Sequence, residues 1–243
     1  MRRGFLIAAE GRLPIIPSQW RQVVYPLVVD DTRRNNGHQQ FLDHPDRIGQ
    51  FRRRSPDWLS LKREQQMVSL RPLRWPNDRA ALCALDISFT TDRIYQVVAT
   101  ERSFVLEETV IAPPLHKVYT FDDDMDSLPA FTYIVVAEIA AAVVGVATLR
   151  VDAWNRRAVL GHLLIDAPYR GRGIGRALIA DVVQAAQERQ ARCLWIETQN
   201  NNYGAIQFYQ RLGFRCCGLD MALYDSDGSA AGETAVFFVR DLA

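Results

Sequence analysis

Residues Tyr169 to Ile179 read YRGRGIGRALI, three glycines and three arginines immediately ahead of an apolar helical pattern. Glycine lets a backbone curl and lets other atoms approach it closely, because no Cβ stands in the way. The run before it, RRAVLGHLLI (156–165), reads as a strand. The run after it, GRALIADVVQAAQERQ (175–190), puts Leu178, Val182, Ala185 and Ala186 on one helical face. Strand, glycine loop and helix together make an anion site, since the unpaired N–H groups of a helix N-terminus attract phosphate oxygens. Gly171, Gly173, Ile174 and Gly175 supply main-chain donors, and Arg170, Arg172 and Arg176 add positive charge. Two familiar phosphate motifs do not fit. The P-loop ends in Gly-Lys-Ser/Thr, and the dinucleotide fingerprint GxGxxG needs glycine where Arg176 or Leu178 stands. What remains is RxxGxG: Arg170, Gly173, Gly175.

The rest of the chain sets the frame for that loop. Its 243 residues, 48% hydrophobic and 23% charged, suit a globular protein with a sizeable core. A net charge of +1 gives no bulk electrostatic case for nucleic acid or an acidic membrane surface. The cysteines Cys83, Cys193, Cys216 and Cys217 have no zinc-like spacing, so no metal is expected and reduced thiols are. FLIAA, behind Arg2 and Arg3, is cut off by Glu10 too early for a signal peptide, and no window approaches a membrane span. A cytoplasmic protein is the expectation.

The sequence changes character near Met67. Residues 1–66 hold 12 basic and 7 acidic residues and show no sustained period, against 17 basic and 21 acidic in the remainder. They read as a basic, poorly structured extension, with a short strand near WRQVVYPLVV (20–29) and a helix near PDWLSLKREQQ (56–66). Met67 itself reads as a natural domain opening; a mature N-terminus near Met1, found by mass spectrometry, would refute a start there. Residues 67–243 form the expected domain. VSLRPL is a strand, and PNDRAALCALDISF a short helix behind a cap-like Asn77/Asp78. RIYQVVAT, FVLEETVI and HKVYTF alternate as three antiparallel strands. A hairpin turns near 138–142, and RCLWIET is a strand. NNYGAIQFYQRLGF is a capped helix closed by Gly213, and TAVFFVRDL a last strand. Early strands followed by alternating strands and helices predict an α/β (α+β) domain.

Downstream of the glycine loop, Asn202 to Phe214 follows the pattern Asn-x-x-Ala-x-x-Phe-Tyr-x-x-x-Gly-Phe. Strand, RxxGxG, helix, strand and this second helix resemble the GNAT superfamily of acyl-CoA N-acyltransferases over residues 160–240. The resemblance implies a mixed, mostly antiparallel sheet flanked by helices and splayed between the strand before the loop and the next strand. It also implies acetyl-CoA as co-substrate, its pyrophosphate held by the loop amides and its pantetheine arm along the splayed edge. DISFTTDRIYQV, APPLHKVY, AWNRR, LWIETQNNN and CGLDMALYD further resemble the streptothricin (nourseothricin) acetyltransferases, over residues 80–240. That likeness implies acetylation of the β-lysine amine of streptothricin-type antibiotics, hence antibiotic resistance.

Acetyl transfer needs an amine freed of its proton, a polarised thioester carbonyl and a proton for the departing thiolate. By resemblance Tyr209 is the acid, Asn202 contacts the cofactor, and the backbone amide of Leu163 or Ile165 polarises the carbonyl. Tyr209 could equally pack with Ala205 and Leu212, and Asn202 could cap its helix. The base departs from the family: its acidic Glu-Asp pair falls on Gly161 and His162. Strand alternation puts Gly161 with Leu163 and Ile165, leaving a gap, and His162 with Leu160 and Leu164, pointing away. Imidazoles titrate near neutrality, so His162 is a candidate base provided a bulge re-aims it. A water chain to Asp152 or Glu197 is the alternative. If the missing carboxylate limits the rate, Gly161→Glu should raise activity.

On the acceptor side, Asp122, Asp123, Asp124 and Asp126 (FDDDMDS) could steer a small cationic amine, and Asp92 could bind its ammonium. A solvated acidic loop and a turn cap are the plainer readings of the same residues. None of the cysteines sits where a nucleophile is expected, so attack is direct. Rival readings are an acetyltransferase for an aminoglycoside, polyamine or protein amine, and a non-catalytic acyl-CoA-binding module suggested by Gly161. The oligomeric state is left open, a homodimer included.

Overall fold

The structure, a computed structural model, describes residues 23–25, 67–121, 125–224 and 232–242. Its strands are β1 (Val23–Tyr25), β2 (Val68–Pro72), β3 (Phe89–Ala99), β4 (Phe104–Lys117), β5 (Tyr133–Ile139), β6 (Ala142–Asp152), β7 (Arg157–Ile165), β8 (Cys193–Gln199), β9 (Arg215–Asp220) and β10 (Ala235–Asp241). The helices are α1 (Arg79–Cys83), α2 (Ile174–Glu188) and α3 (Tyr203–Arg211). One sheet runs β1-β2-β5-β6-β7-β8-β10-β9, and β3 and β4 pair in a second sheet. The pairs in the large sheet are antiparallel except β7 with β8. The α/β class and the mostly antiparallel sheet agree with expectation. The helix at 56–66 lies outside the described residues, as does the rest of 1–66 apart from β1.

The periodicities explain the layers. Leu178, Val182, Ala185 and Ala186 of α2, with Ile206 and Tyr209 of α3, bury against Leu149, Leu160, Leu194, Ile196 and Phe238 on one sheet face. The opposite face of β5 and β6 is covered by Leu82 and Leu85, Phe121, and the 3-10 turn Met125–Ala130. β7 and β8 can run parallel because α2 supplies the crossover between them. The β5–β6 turn is made by Ala140 and Ala141, with φ of 49° and 64°. Two positive φ values fit the strand twist of a tight hairpin, although alanine is a poor residue for either position.

Three sequence expectations change. Asp78 precedes α1 but its side chain caps nothing; its carboxylate accepts from Arg71 Nη1 and Nη2 at 2.7 and 2.8 Å and from the Arg74 amide at 2.6 Å. A buried guanidinium out-competes helix N–H groups for a carboxylate. FVLEETVI and HK belong to one strand, β4, whose register with β3 shifts between Thr91 and Arg93. The third strand of that group therefore does not exist. RCCGLD, with no apolar alternation, is the edge strand β9, paired through the backbone of β10.

Candidate active site

α2 begins at Ile174, with Gly173 as its N-cap at φ 85° and Gly171 at φ 75°. A side chain at either position would be strained, so the loop's curl requires glycine. Gly175 is required for another reason: a Cβ there would lie 3.0 Å from Ile165 Cδ1 and 3.1 Å from Phe208 Cζ. Its absence lets α2 start tight against β7 and α3. Among the described residues, no backbone carbonyl takes the N–H groups from Gly171 to Arg176. Arg176 is exposed at the first turn, and Arg172 lies 5.1 Å from the Tyr169 ring centroid. Arg170 departs from expectation. Its Nε donates to Ile165 O at 3.0 Å, and its terminal nitrogens donate to Ser88 O and Asp86 O. The side chain straps the loop to segment 86–88 instead of facing an anion.

β7 and β8 pair from Arg157↔Cys193 to Leu160↔Ile196 and then part. Beyond that point the His162 amide donates to Thr148 Oγ1 at 2.9 Å, and the Asp166 amide to Val144 O at 3.0 Å, both on the β6 side. Peptide groups alternate along a strand, so Leu163 and Ile165 aim their N–H groups into the gap.

Two further candidates belong to α3 and its cap. Asn202 is the N-cap of α3, its Oδ1 accepting from the Ala205 amide at 3.2 Å. Tyr209 is buried among Phe208, Phe214 and Phe238, so packing and an acid role coexist. Among the described residues its hydroxyl meets no hydrogen-bond partner. Burial first, then the charge of Glu197, pushes its phenol well above the ordinary range, so it stays protonated.

The bulge that His162 needs is present. Ala147↔Leu163 and Leu149↔Leu160 leave Thr148 alone opposite Gly161 and His162. Both residues then face Phe131: the His162 ring lies edge-on at 5.3 Å, and a Cβ on Gly161 would come within 2.1 Å of Phe131 Cε1. This corrects the simple alternation, which sent the two to opposite faces. It also corrects the gap at Gly161, because Phe131 fills it. His162 also meets Phe121 edge-on at 5.1 Å. The Thr148 hydroxyl, already accepting from the His162 amide, lies 3.0 Å from Nδ1 and hydrogen-bonds it as well.

Asp152 drops out as a remote acid. It pairs with Arg157 at 3.1 Å and Arg150 at 3.4 Å, at the end of β6 opposite the start of β7, about 26 Å of strand from Ile165. Glu197 does not drop out: it directly follows Ile196, where the strands part. Asp92 is exposed and, with Thr90, Thr91, Pro114, Asn202 and Tyr203, lines an open cavity of about 470 Å³. Asp122, Asp123 and Asp124 lie outside the described residues; Asp126 is exposed in the 3-10 turn. Phe131, Thr148, Tyr224 and Glu233 were not singled out by sequence reasoning. Only Tyr224 carried a signal, as the end of CGLDMALYD.

A glycine loop with unbonded amides, beside two parallel strands that part, defines an acyl-transferase cleft. The acetyltransferase (GNAT) family model matches residues 97–214. The streptothricin acetyltransferase of Streptomyces lavendulae is 36% identical over 170 residues, 67% of this chain and 89% of that protein. Its counterpart in Escherichia coli is 29% identical over 150 residues, 62% of this chain and 83% of that protein. A crystal structure of nourseothricin acetyltransferase superposes with TM-score 0.66 at 37% identity, covering 72% of this chain and 99% of that one. A candidate streptothricin acetyltransferase from Bacillus anthracis str. Ames, solved with acetyl coenzyme A, superposes with TM-score 0.60 at 25% identity, covering 72% and 98%. The chain belongs to the GNAT acetyltransferase family and is an N-acetyltransferase. Among the described residues no helix is long and apolar enough to cross a membrane.

Proposed function

We propose that the protein acetylates a primary amine of streptothricin-type antibiotics from acetyl-CoA, in the cytoplasm, and so confers resistance. The observation that carries the acetyl-CoA part is the parting of β7 from β8 after Leu160 and Ile196, beside loop amides that no backbone carbonyl takes. Those amides, Gly171 to Arg176, hold the pyrophosphate, with Arg172 and Arg176 adding charge. Acetyl-CoA supplies the activated acyl group. Leu163 and Ile165 direct their N–H groups at its pantetheine arm and thioester oxygen, where negative charge develops. Tyr209 gives its proton to the departing thiolate. Asn202 and Asp92 line one open cavity, and Asp92 draws the cationic acceptor toward it. His162, braced by Phe121, Phe131 and Thr148, forms a wall of the acceptor side.

The likeness to the Streptomyces lavendulae enzyme across 89% of its length supports the choice of acceptor. Expression in a sensitive host under nourseothricin, paired with a thiol-release assay, tests it. Resistance and turnover of streptothricin are expected. Rapid turnover of a peptide amine with none of streptothricin would move the acceptor elsewhere, and acetyl-CoA binding without turnover of any amine would mark a non-catalytic module.

A further inference from the structure

The β3–β4 hairpin stands outside the eight-stranded sheet, so strand pairing with that sheet does not place it. Thr91, Asp92 and Pro114 of the hairpin nonetheless line the open cavity together with Asn202 and Tyr203 at the start of α3. The hairpin is gripped at one corner of the fold, where β8 runs into α3 beside the start of β10. Asn200, in the turn after β8, is buried, with 6% of its surface exposed. Its amide donates to Thr234 O at 2.9 Å, and its Oδ1 accepts from the Thr234 amide at 2.8 Å. Its carbonyl accepts from the Tyr95 amide at 2.9 Å, and its Nδ2 donates to Tyr95 O at 2.8 Å. The middle of β3 and the chain leading into β10 are thus joined through one residue.

An asparagine suits this corner because its planar amide carries an acceptor and a donor on one short stem, and here they meet a backbone N–H and a backbone C=O. Turned over, the amide would set N–H against N–H and oxygen against oxygen. Buried backbone groups left unpaired are costly, so the grip is rigid. Tyr95 adds two more ties. Its ring stacks on Tyr203 at 5.6 Å between centroids, and its hydroxyl accepts from Gln207 Nε2 at 2.8 Å. The far end of the hairpin returns to the same corner. Lys117 Nζ pairs at 2.6 Å with Glu233, the neighbour of Thr234. Glu233 also accepts from Tyr119 at 3.3 Å and from Asn201, the neighbour of Asn200, at 3.2 Å.

We propose that Asn200 is a positioning residue for the acceptor: it locks the β3–β4 hairpin against the start of α3 and so sets the width of the cavity that takes the acceptor's cationic body. This rests on the reading above, in which streptothricin is the acceptor and Asp92 lies on its side. Asn200 is not among the residues that line the cavity; it acts through Tyr95 and the strand that carries Thr91 and Asp92. Asp92 is three residues from Tyr95, about 10 Å along the strand, so a shift at the grip moves the cavity wall. The loop amides from Gly171 to Arg176 belong to another segment, at the start of α2. Acceptor capture and acetyl-CoA capture therefore respond separately to this corner.

The variant Asn200→Asp keeps the shape and can still accept from the Thr234 amide, but sets a carboxylate oxygen against Tyr95 O where a donor stood. With streptothricin as acceptor, KM and the calorimetric Kd for the acceptor should both rise about tenfold. Over the same comparison kcat and acetyl-CoA affinity should stay within about twofold. Lys117→Met should move KM in the same direction, and Lys117→Arg, which keeps the pair with Glu233, should hold it near the wild-type value. Tyr95→Phe keeps the stack on Tyr203 and loses only the Gln207 bond. It should raise KM about threefold at unchanged kcat, and it decides the matter should Asn200→Asp fail to fold. A folded Asn200→Asp enzyme with a lower melting temperature and a wild-type acceptor KM overturns the assignment, as does an equal loss of affinity for acetyl-CoA and acceptor. No turnover of streptothricin by the wild type would instead sink the reading of the acceptor beneath it.

Discussion

The two sides of the cleft are built in different ways. The proposed cofactor side comes from one continuous stretch, β7 to α3, and offers main-chain N–H groups freed by glycine and by the parting of two strands. The proposed acceptor side would be assembled from side chains far apart in the chain: Asp92, Phe121, Phe131, His162, Glu197 and Tyr224. A backbone site tolerates many side chains but few changes of conformation. A side-chain site allows substitution as long as the occupied volume and the charge are conserved elsewhere. Gly161 illustrates the second: its missing side chain is replaced by the ring of Phe131.

Substitutions on each side test this contrast. The largest effect should come from Tyr209→Phe, which removes the proposed acid and keeps the ring's packing against Phe208, Phe214 and Phe238. Activity should drop about 100-fold with acetyl-CoA affinity and melting temperature nearly unchanged; a fully active variant would leave Tyr209 as packing only. Next comes Gly161→Glu, which the sequence presented as restoring a lost acid. With Phe131 occupying the space within 2.1 Å, it should instead destabilise the fold by about 1–3 kcal/mol in chemical denaturation. Adding Phe131→Ala should relieve much of that cost, and a gain of activity in the single variant would mean the ring moves freely.

Gly173→Ala probes the backbone side. Nothing crowds a Cβ there, so the cost is the positive φ alone, about 1 kcal/mol of stability. Acetyl-CoA affinity should weaken as the loop relaxes, whereas acceptor affinity should not change; calorimetry with each ligand separates them. The smallest effect lies outside the cleft. Ala141→Gly, at φ 64° in the β5–β6 turn, should raise stability by about 0.5–1 kcal/mol in a thermal melt and leave kinetics untouched.

Legibility in the sequence follows the same division. α2 could be read because Leu178, Val182, Ala185 and Ala186 repeat at helical spacing, and all four are buried. The glycine loop could be read because positive φ and close approach restrict residue type. β9 could not, since RCCGLD is held by backbone pairing at a sheet edge. Asp78 misled because one carboxylate has several good uses, and Arg71 lies within reach only after folding. Arg170 misled in the same way, its guanidinium taken by carbonyls of a segment more than eighty positions earlier.

The chain's order of strand, glycine loop, helix and second helix carried the family's signature and pointed to the glycine loop as the place for a phosphate-bearing cofactor. Those features are local, set by backbone conformation and short-range period. Only the tertiary structure decided that a bulge opposite Thr148 turns Gly161 and His162 to one face, that Phe131 fills the space there, and that Glu197 stands at the opening. Each of these depends on which distant segments meet across the sheet, and pairing register and packed volume are properties of contacts that a linear sequence does not display.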